Sequence, residues 1–398
     1  MLRVFVLALS LLLHACGGGS APAPEPPSPT GPGGPTTPSG PAPSDPPQVS
    51  MRELITTAQS ISVPLTNGRG LTIADVPVTL HAEDGTLFAT RWSSSGTQKT
   101  PLATGAGGAT LAGEGQQLLV VYADLAGNAM RARVSTDGGQ QWGDPVRLGD
   151  RPAGPPLPTA CVYSVQGQLR RVVAWSAQPS ESDGPLVLVL FDGTQWLPPV
   201  IRSDIRSSGA SLHCSASTGA EIVWRDHRAG AQGMAVALWS AQVTPTGTLE
   251  GAGSAMSNAF DPSFCRSGGT RWLGHHSTTN DAHLSYNQDG TGWTEVDTQI
   301  TSPGIQPLDE SGKFVSVACA GSIVLASWGD WPSKQEANDR TASRRLGVLF
   351  SRSGASHWLS VSPAGLELDQ GPATTAATEQ GAWIAWKAGN RLRLAEIR

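Results

Sequence analysis

The chain of 398 residues carries 27 Lys and Arg against 32 Asp and Glu, so its formal net charge is −5. The basic residues are not clustered, which argues against a nucleic acid partner because phosphate binding needs grouped Lys and Arg. Tryptophan (13) outnumbers tyrosine (3) and phenylalanine (7), and short apolar runs alternate with Gly, Pro, Ser, Asp and Asn. This pattern predicts an all-β protein.

Residues 1–16 have the pattern of an export signal. Arg3 precedes the ten-residue apolar run VFVLALSLLL, which is too short to span a membrane and is typical of a signal peptide. The run ends in LHAC, which resembles the lipobox of bacterial lipoproteins. This resemblance implies acylation of Cys16, membrane lipid as a partner, and anchoring on the extracytoplasmic side of a membrane in the bacterial cell envelope. The alternative is an ordinary secretory signal with an incidental cysteine.

Residues 17–48 predict a disordered, Pro/Gly-rich linker. Up to Pro47 they contain no Val, Leu, Ile, Met or aromatic residue, so they cannot bury enough apolar surface to offset the entropy of ordering. Proline at this density favours extended polyproline II segments. The folded domain is therefore expected to span residues 49–398.

An internal repeat runs through that domain. Apolar runs at intervals of about fifty residues end near a tryptophan, and similar runs contain Tyr122 and Trp386. Several short strands in each repeat of this length predict the four-stranded blades of a β-propeller. Six blades are favoured over seven, because only thirty residues separate Trp92 from Tyr122. Four of the repeats carry a cysteine, at spacings of 53, 51 and 54 residues: Cys161, Cys214, Cys265 and Cys319.

One turn in the repeat has a recognisable motif. The stretch STDGGQQW lies between the predicted strands AMRARV and PVRLG. It resembles the Asp-box, S-x-D-x-G-x-x-W, of sialidase-like propellers, also called the BNR repeat. The resemblance implies a structural turn between the outer strands of a blade. Degenerate copies occur at Ser285–Trp293, at Ser351–Trp358 and near Trp196. The four motif positions are Ser135, Asp137, Gly139 and Trp142.

Both ends of the domain add to this resemblance. The stretch from Asp75 to Trp92 resembles the first hairpin of a sialidase-type propeller. In most sialidases an Arg-Ile pair precedes its proline and the arginine binds the substrate carboxylate, whereas Asp75 and Val76 stand there in this chain. The C-terminal end predicts three strands, and an N-terminal segment such as Ser60–Thr66 is expected to complete their blade and close the ring.

The sialidase resemblance does not extend to the catalytic residues. Sialidases combine three arginines, a tyrosine–glutamate pair and an aspartic acid, and Tyr122, Tyr163 and Tyr286 do not reproduce this arrangement. No catalytic residue is therefore assigned, and a ligand-binding protein is favoured over an enzyme. The alternatives are a glycoside hydrolase with non-standard catalytic residues and a structural component of the cell envelope.

Candidate ligand-binding residues follow the second predicted strand of three successive repeats. The loops there are expected on the face opposite the Asp-box, where a rigid scaffold presents binding residues for a carbohydrate or protein ligand. The alternative is solvated loop charge. The candidates are Arg225, Asp226, His227, Arg228, His275, His276, Asp330 and Trp331.

No metal or other cofactor is expected, because adjacent histidines point apart on an extended chain and no typical ligand spacing accompanies them. The four cysteines of the domain are expected to be buried free thiols. Equivalent positions on neighbouring blades should lie about 8 Å or more apart, whereas a disulfide needs Cα atoms about 5.5 Å apart. Two disulfides are the alternative, since the protein is expected to be exported.

Overall fold

The residues that the structure describes form 28 β-strands. The computed structural model describes residues 47–55, 71–73, 76–152, 156, 158–176, 184–227, 237–277, 282–288, 290, 292–296, 313–330, 344–361, 367–368, 373–388 and 391–398. No helix occurs among these residues, which belong to the compact unit Pro41–Arg398. The predicted signal peptide, Cys16 and all of the linker except its last two residues lie outside them.

Consecutive strands pair antiparallel into four-stranded blades, which we number in chain order. Blade 1 contains β2 (Leu71–Ile73), β3 (Val76–Glu83), β4 (Thr86–Ser93) and β5 (Gly96–Thr104). Blade 2 contains β6 (Ala106–Glu114), β7 (Gln117–Asp124), β8 (Ala129–Ser135) and β9 (Val146–Asp150). Blade 3 contains β10 (Thr159–Val165), β11 (Gln168–Ser176), β12 (Gly184–Phe191) and the first part of β13 (Val200–Ser215).

The remaining blades continue in the same order. Blade 4 contains the second part of β13, β14 (Gly219–Asp226), β15 (Ala237–Val243) and β16 (Leu249–Ser257). Blade 5 contains β17 (Ala259–Ser267), β18 (Thr270–Ser277), β19 (Ala282–Gln288) and β20 (Thr294–Glu295). Blade 6 contains β21 (Lys313–Ala320), β22 (Ile323–Asp330), β23 (Arg344–Ser351) and β24 (Leu359–Ser360), with β25 (Glu367–Leu368) also paired to β23. Blade 7 contains β26 (Thr374–Thr378), β27 (Gly381–Ala388), β28 (Arg391–Ile397) and β1 (Val49–Ile55).

The long strand β13 serves two blades. Its first residues pair with β12 and its last residues pair with β14, and Ser207 has a partner on both sides. Blades 3 and 4 therefore form one hydrogen-bonded sheet of seven strands. A register shift between Ser207 and Ala210 bends the strand from one blade into the next.

The all-β propeller prediction is confirmed, and the strand pairing of the described residues gives seven blades, which was the alternative to the favoured six. Among the described residues, seven clusters of buried apolar side chains fill the seams between consecutive blades, one per seam, including the seam between blades 7 and 1. Six blades were favoured on the assumption that Trp92 and Tyr122 occupy the same position in successive blades, which they do not. Trp92 lies on the third strand of its blade and Tyr122 on the second, and Gly105 alone separates β5 from β6.

An N-terminal strand completes the last blade, as expected, but it is β1 rather than Ser60–Thr66. β1 pairs with β28 over seven residues, from Val49 opposite Ile397 to Ile55 opposite Arg391. Residues 60–66 lie outside the described residues. The last blade is thus built from strands of both ends of the domain, with β1 as its outermost strand.

The innermost strands are joined by a repeated hydrogen bond between a hydroxyl group and a backbone amide. The hydroxyl belongs to the first strand of one blade and the amide to the first strand of the next, so each bond crosses a seam. The lengths lie between 2.9 and 3.0 Å, and the pairs are Leu212 N to Thr159 Oγ1, Phe264 N to Ser211 Oγ, and Val317 N to Ser263 Oγ.

The cysteines form disulfides, so the expectation of free thiols is wrong. Cys161 is bonded to Cys214 and Cys265 to Cys319, with Cα–Cα distances of 5.7 and 5.9 Å. The separation had been overestimated because the first strands of neighbouring blades converge towards the centre of the ring. The bridges join blade 3 to blade 4 and blade 5 to blade 6.

Candidate functional site

The turn between β8 and β9 is closed by its own side chains. Asp137 Oδ1 accepts the Ser135 hydroxyl at 2.8 Å and the backbone amides of Gln140 and Gln141, each at 3.0 Å. Ser135 Oγ accepts the Gly139 amide at 2.8 Å, and Gly139 has φ of 85°. The backbone hydrogen bond from Gln141, followed by that of the Ser135 side chain, lowers the pKa of Asp137. Trp142 packs against the apolar cluster between blades 1 and 2.

Similar turns join the third and fourth strands of other blades. In blade 3, Asp192 Oδ1 accepts the amides of Thr194 and Gln195 at 2.8 and 2.9 Å. In blade 6, Ser351 Oγ accepts the Ser353 amide at 3.2 Å. In blade 5, Asn287 Oδ1 accepts the Gly290 amide at 3.1 Å. We call the face that carries these turns the lower face.

The opposite, upper face carries two kinds of connection. These are the turns between second and third strands and the links from one blade to the next. In blades 1 and 2, Gly105 N donates to Gly85 O at 2.7 Å, and Leu125 N donates to Gly105 O at 3.1 Å. In blades 3 and 4, His227 N donates to Arg206 O at 2.9 Å. Backbone hydrogen bonds therefore hold the upper connections of neighbouring blades together.

The structure places the described candidate residues at this upper face. Arg225 and Asp226 end β14 of blade 4, and His227 follows them. His275 and His276 lie near the end of β18 of blade 5. Asp330 ends β22 of blade 6, but nothing is described of its side chain, and Arg228 and Trp331 lie outside the described residues.

Two of the candidates are buried rather than exposed in loops. Asp226 is fully buried and accepts the indole N–H of Trp224 at 3.0 Å. His275 is 5% exposed, and its ring stacks on His283 with centroids 5.2 Å apart. Burial, followed by the charge of His283, lowers the pKa of His275 to about 3, so His275 is neutral at physiological pH. Both side chains therefore lie in the protein interior, beneath the upper face, and contribute to packing there.

A stack of planar side-chain groups bridges blades 4 and 5 at the upper face. The guanidinium carbon of Arg225 lies 4.2 Å from the ring centroid of Phe260. The His276 ring stacks on the same phenyl group, with centroids 5.2 Å apart and an angle of 14° between the planes. The stack therefore joins two predicted residues through Phe260, which sequence reasoning had not singled out.

Asp261 adds a carboxylate beside the stack. Its side chain is 51% exposed, and its Oδ2 lies 3.7 Å from His276 Nδ1. Burial lowers the pKa of Arg225, and the negative charge of Asp261 opposes this shift. The backbone is left-handed at both Asn258 (φ 56°) and Asp261 (φ 47°), residue types that tolerate this conformation. The pairing of β17 with β18 shifts register between Phe260 and Ser263, which is a β-bulge. The polar residues of the stretch SNAFDP are the sequence signal that could have predicted it.

We call Arg225, Phe260, Asp261 and His276 the seam 4–5 site. Neither of the described disulfides crosses this seam. Ion pairs join the two blades at its lower part instead. Buried Glu221 of blade 4 lies 2.9 Å from Arg271 and 3.5 Å from Arg266 of blade 5. The site thus has a cation, an imidazole and an exposed carboxylate on a fixed apolar ring, an arrangement suited to hydrogen-bonding a polar ligand.

The three tyrosines take part in packing. Tyr122 and Tyr163 are buried, and burial raises the pKa of Tyr163. The ring of Tyr286 lies 5.5 Å from that of Trp272. Within the part of the chain that the structure describes, no group of three or more His, Cys, Asp or Glu is placed to hold a metal ion. The same residues include no helix of the length and hydropathy that a membrane span requires.

Comparisons with known proteins gave matches among solved structures alone. No protein family model matches the chain, and no curated protein does. A fucose-specific lectin from Aleuria aurantia is 12% identical, with 71% of this chain and 87% of the lectin covered and a TM-score of 0.46. The SapL1 lectin in complex with alpha methyl fucoside is 13% identical, with coverages of 76% and 96% and a TM-score of 0.49. Trypanosoma rangeli sialidase in complex with sialic acid is 12% identical, with coverages of 90% and 59% and a TM-score of 0.44. These values carry no ligand, substrate or mechanism over to this chain.

Proposed function

We propose that this protein is a lipid-anchored, extracytoplasmic propeller that binds a carbohydrate at the seam 4–5 site without transforming it. The observation that carries the proposal is the stack of Arg225, Phe260 and His276 beside the exposed carboxylate of Asp261. Its residues lie on paired backbone, at the end of β14, at the bulged start of β17 and near the end of β18. A site fixed in this way loses little side-chain entropy when a ligand binds.

The chemistry of the site suits a sugar. Arg225 offers several N–H donors in one plane, and Asp261 offers two acceptor oxygens. Neighbouring hydroxyl groups of a sugar ring act as both donors and acceptors, so they can pair with both side chains at once. A protein ligand is the alternative, and a failure to bind any glycan would favour it.

The proposal of binding without catalysis rests on the carboxylates. A typical glycoside hydrolase needs two carboxyl groups on either side of the scissile bond. At the described part of the seam, Asp261 is exposed while Asp226 is buried and accepts the indole N–H of Trp224. Hydrolysis of chromogenic glycosides by the wild-type protein would favour the hydrolase alternative instead.

The test is a glycan array probed with the full chain in detergent, followed by titration of the best glycan. Arg225→Gln is expected to weaken binding about tenfold or more, because a charge-assisted hydrogen bond is lost. Arg202→Gln is the matched control, since Arg202 lies on the outer strand of blade 3 and pairs with Asp204 at 2.8 Å. Unchanged melting temperatures would show that both variants fold. Equal glycan affinity in the two variants would contradict the placement of the site.

Anchoring is tested separately, because it rests on LHAC alone. Cys16→Ser is expected to release the protein into the soluble fraction and to abolish incorporation of labelled palmitate. Three acyl chains on one cysteine would hold the wild type at the membrane, whereas one chain gives only marginal attachment. A wild-type protein that takes up no label would overturn the lipid anchor and leave the ordinary secretory signal.

A further inference from the structure

A groove of about 470 Å³ separates the outer parts of blades 1 and 2. Pro101, Leu102 and Thr104 of β5 form one wall, and Arg131 and Arg133 of β8 form the other. None of the residues predicted from the sequence to bind ligand lies in it. Its volume falls in the range of about 300–1,000 Å³ that is usual for small-molecule sites.

The two arginines of the groove differ in their partners. They are two residues apart on one strand, so both side chains point to the same face of blade 2. Arg131 Nε donates to Asp124 Oδ2 at 2.6 Å, which neutralises its charge locally. Hydrogen bonds, first from the Gly127 amide and then from Arg131, lower the pKa of Asp124, so Asp124 remains ionised.

Arg133 has no ion-pair partner among the described residues. Its Nη1 donates to the neutral carbonyl of Gly143 at 3.3 Å. Its Nε is buried and lacks a hydrogen-bond acceptor among the described residues. No carboxylate of the described chain lies within ion-pair distance of it. A guanidinium group that lines a groove and has no ion-pair partner among the described residues is suited to an anionic oxygen.

The rest of the lining adds apolar area and hydroxyl groups. Leu102 and Tyr122 are 2% and 3% exposed and form a fixed apolar floor, and Pro101 is exposed beside them. Thr86 and Thr104 contribute hydroxyls. A ligand that fits all three features carries an anionic group, an apolar face and hydroxyls of its own.

We infer that the groove between blades 1 and 2 binds an acidic sugar, with Arg133 pairing with its carboxylate. A single hexuronate residue combines a carboxylate, several hydroxyls and the C–H face of a pyranose ring. This site goes beyond the carbohydrate site at seam 4–5 and does not depend on it. The protein would then have two sites of different chemistry on separate seams of the ring.

The experiment is calorimetric titration of the full chain in detergent with methyl β-D-glucuronide, methyl β-D-glucoside and sodium sulfate. The glucuronide is expected to bind, and the uncharged glucoside to bind about tenfold more weakly or not at all, because it lacks the charge-assisted hydrogen bond. Arg133→Gln is expected to bind the glucuronide about as weakly as the wild type binds the glucoside. Arg133→Lys is expected to keep part of the wild-type affinity for the glucuronide. Arg147→Gln is the control on the same blade, since Arg147 pairs with Asp150 outside the groove.

Each of the opposite outcomes overturns the inference. Absence of glucuronide binding to the wild type, or equal binding of glucuronide and glucoside, excludes recognition of the carboxylate. Sulfate that binds as tightly as the glucuronide would make the groove a site for inorganic anions. Loss of glucuronide binding in Arg225→Gln, with Arg133→Gln unaffected, would place the acidic sugar at seam 4–5 and would leave the proposed carbohydrate function standing.

Discussion

Asp137 shows how one side chain can hold a turn through hydrogen bonds within the turn itself. Its carboxylate accepts one hydroxyl and two backbone amides of its own turn. The turn lies on the lower face, whereas Arg225 and His276 lie at the upper face. Removing the carboxylate should therefore affect the stability of blade 2 and leave the seam 4–5 site unchanged.

We expect Asp137→Ala to lower the free energy of unfolding by about 1–2 kcal/mol, since the turn loses its acceptor. Asp137→Asn should lower the free energy of unfolding by less, because the amide carbonyl oxygen can still accept the hydrogen bonds of the turn. Thermal melts measure both variants, and the glycan titration of seam 4–5 should give the wild-type affinity. A normal melt together with lost binding would mean that the ligand binds on the lower face.

The same carboxylate predicts a dependence on pH. The pKa of Asp137 is lower in the folded protein than in the unfolded chain. Its contribution to stability is therefore complete above the ordinary carboxyl pKa and is lost as the pH falls through the lowered value. The difference in melting temperature between wild type and Asp137→Ala should shrink between neutral pH and strongly acidic pH. A constant difference over that range would contradict the role of the ionised form.

At the scale of strands, the hydrogen bonds of the hydroxyl groups at the seams are expected to contribute more to the free energy of unfolding than most surface contacts do. Ser263 accepts the Val317 amide across the seam between blades 5 and 6, and both lie in the interior. Ser263→Ala leaves a buried amide without its acceptor, which should cost about 1–3 kcal/mol. Ser254→Ala, at an exposed position of β16, is the control and should melt like the wild type. Equal melting of the two variants would show that the seam bond contributes nothing.

Much of the strand pattern could be read from the sequence, because alternating burial and turn residues are local. The strands AMRARV and PVRLG and the turn between them lie where the pattern predicts them. The number of blades could not be read in this way, because Trp92 and Tyr122 look alike in sequence while lying on different strands of their blades. Which strand a tryptophan belongs to depends on long-range pairing.

The candidate site was also predicted only in part. Arg225 and His276 were found because charged residues after an apolar strand indicate an exposed strand end. Phe260 and Asp261 were missed, since they come from the following blade and meet Arg225 only when the ring is assembled. His275 was expected in an exposed loop, yet it is buried. His275→Ala should therefore lower stability, in contrast to an exposed loop residue.

At the scale of the whole molecule, the last blade combines strands from both ends of the domain. β1 comes from the start of the domain and pairs with β28, near its end, over seven residues. All other described strands of blade 7 are consecutive in the chain. Loss of β1 would leave β28 as an unpaired edge, which is a template for pairing with another molecule.

We therefore expect deletion of residues 49–55 to lower the melting temperature and to promote association. Seven residues of paired backbone are lost, and the apolar cluster between blades 7 and 1 loses the cover of Leu54. Melting and light scattering after size-exclusion chromatography measure the two effects. Deletion of seven residues from the predicted linker, 30–36, is the control of equal length and should change neither. If both deletions melt and elute like the wild type, the ring is held closed by its seams alone, and pairing of β1 with β28 adds nothing to its stability.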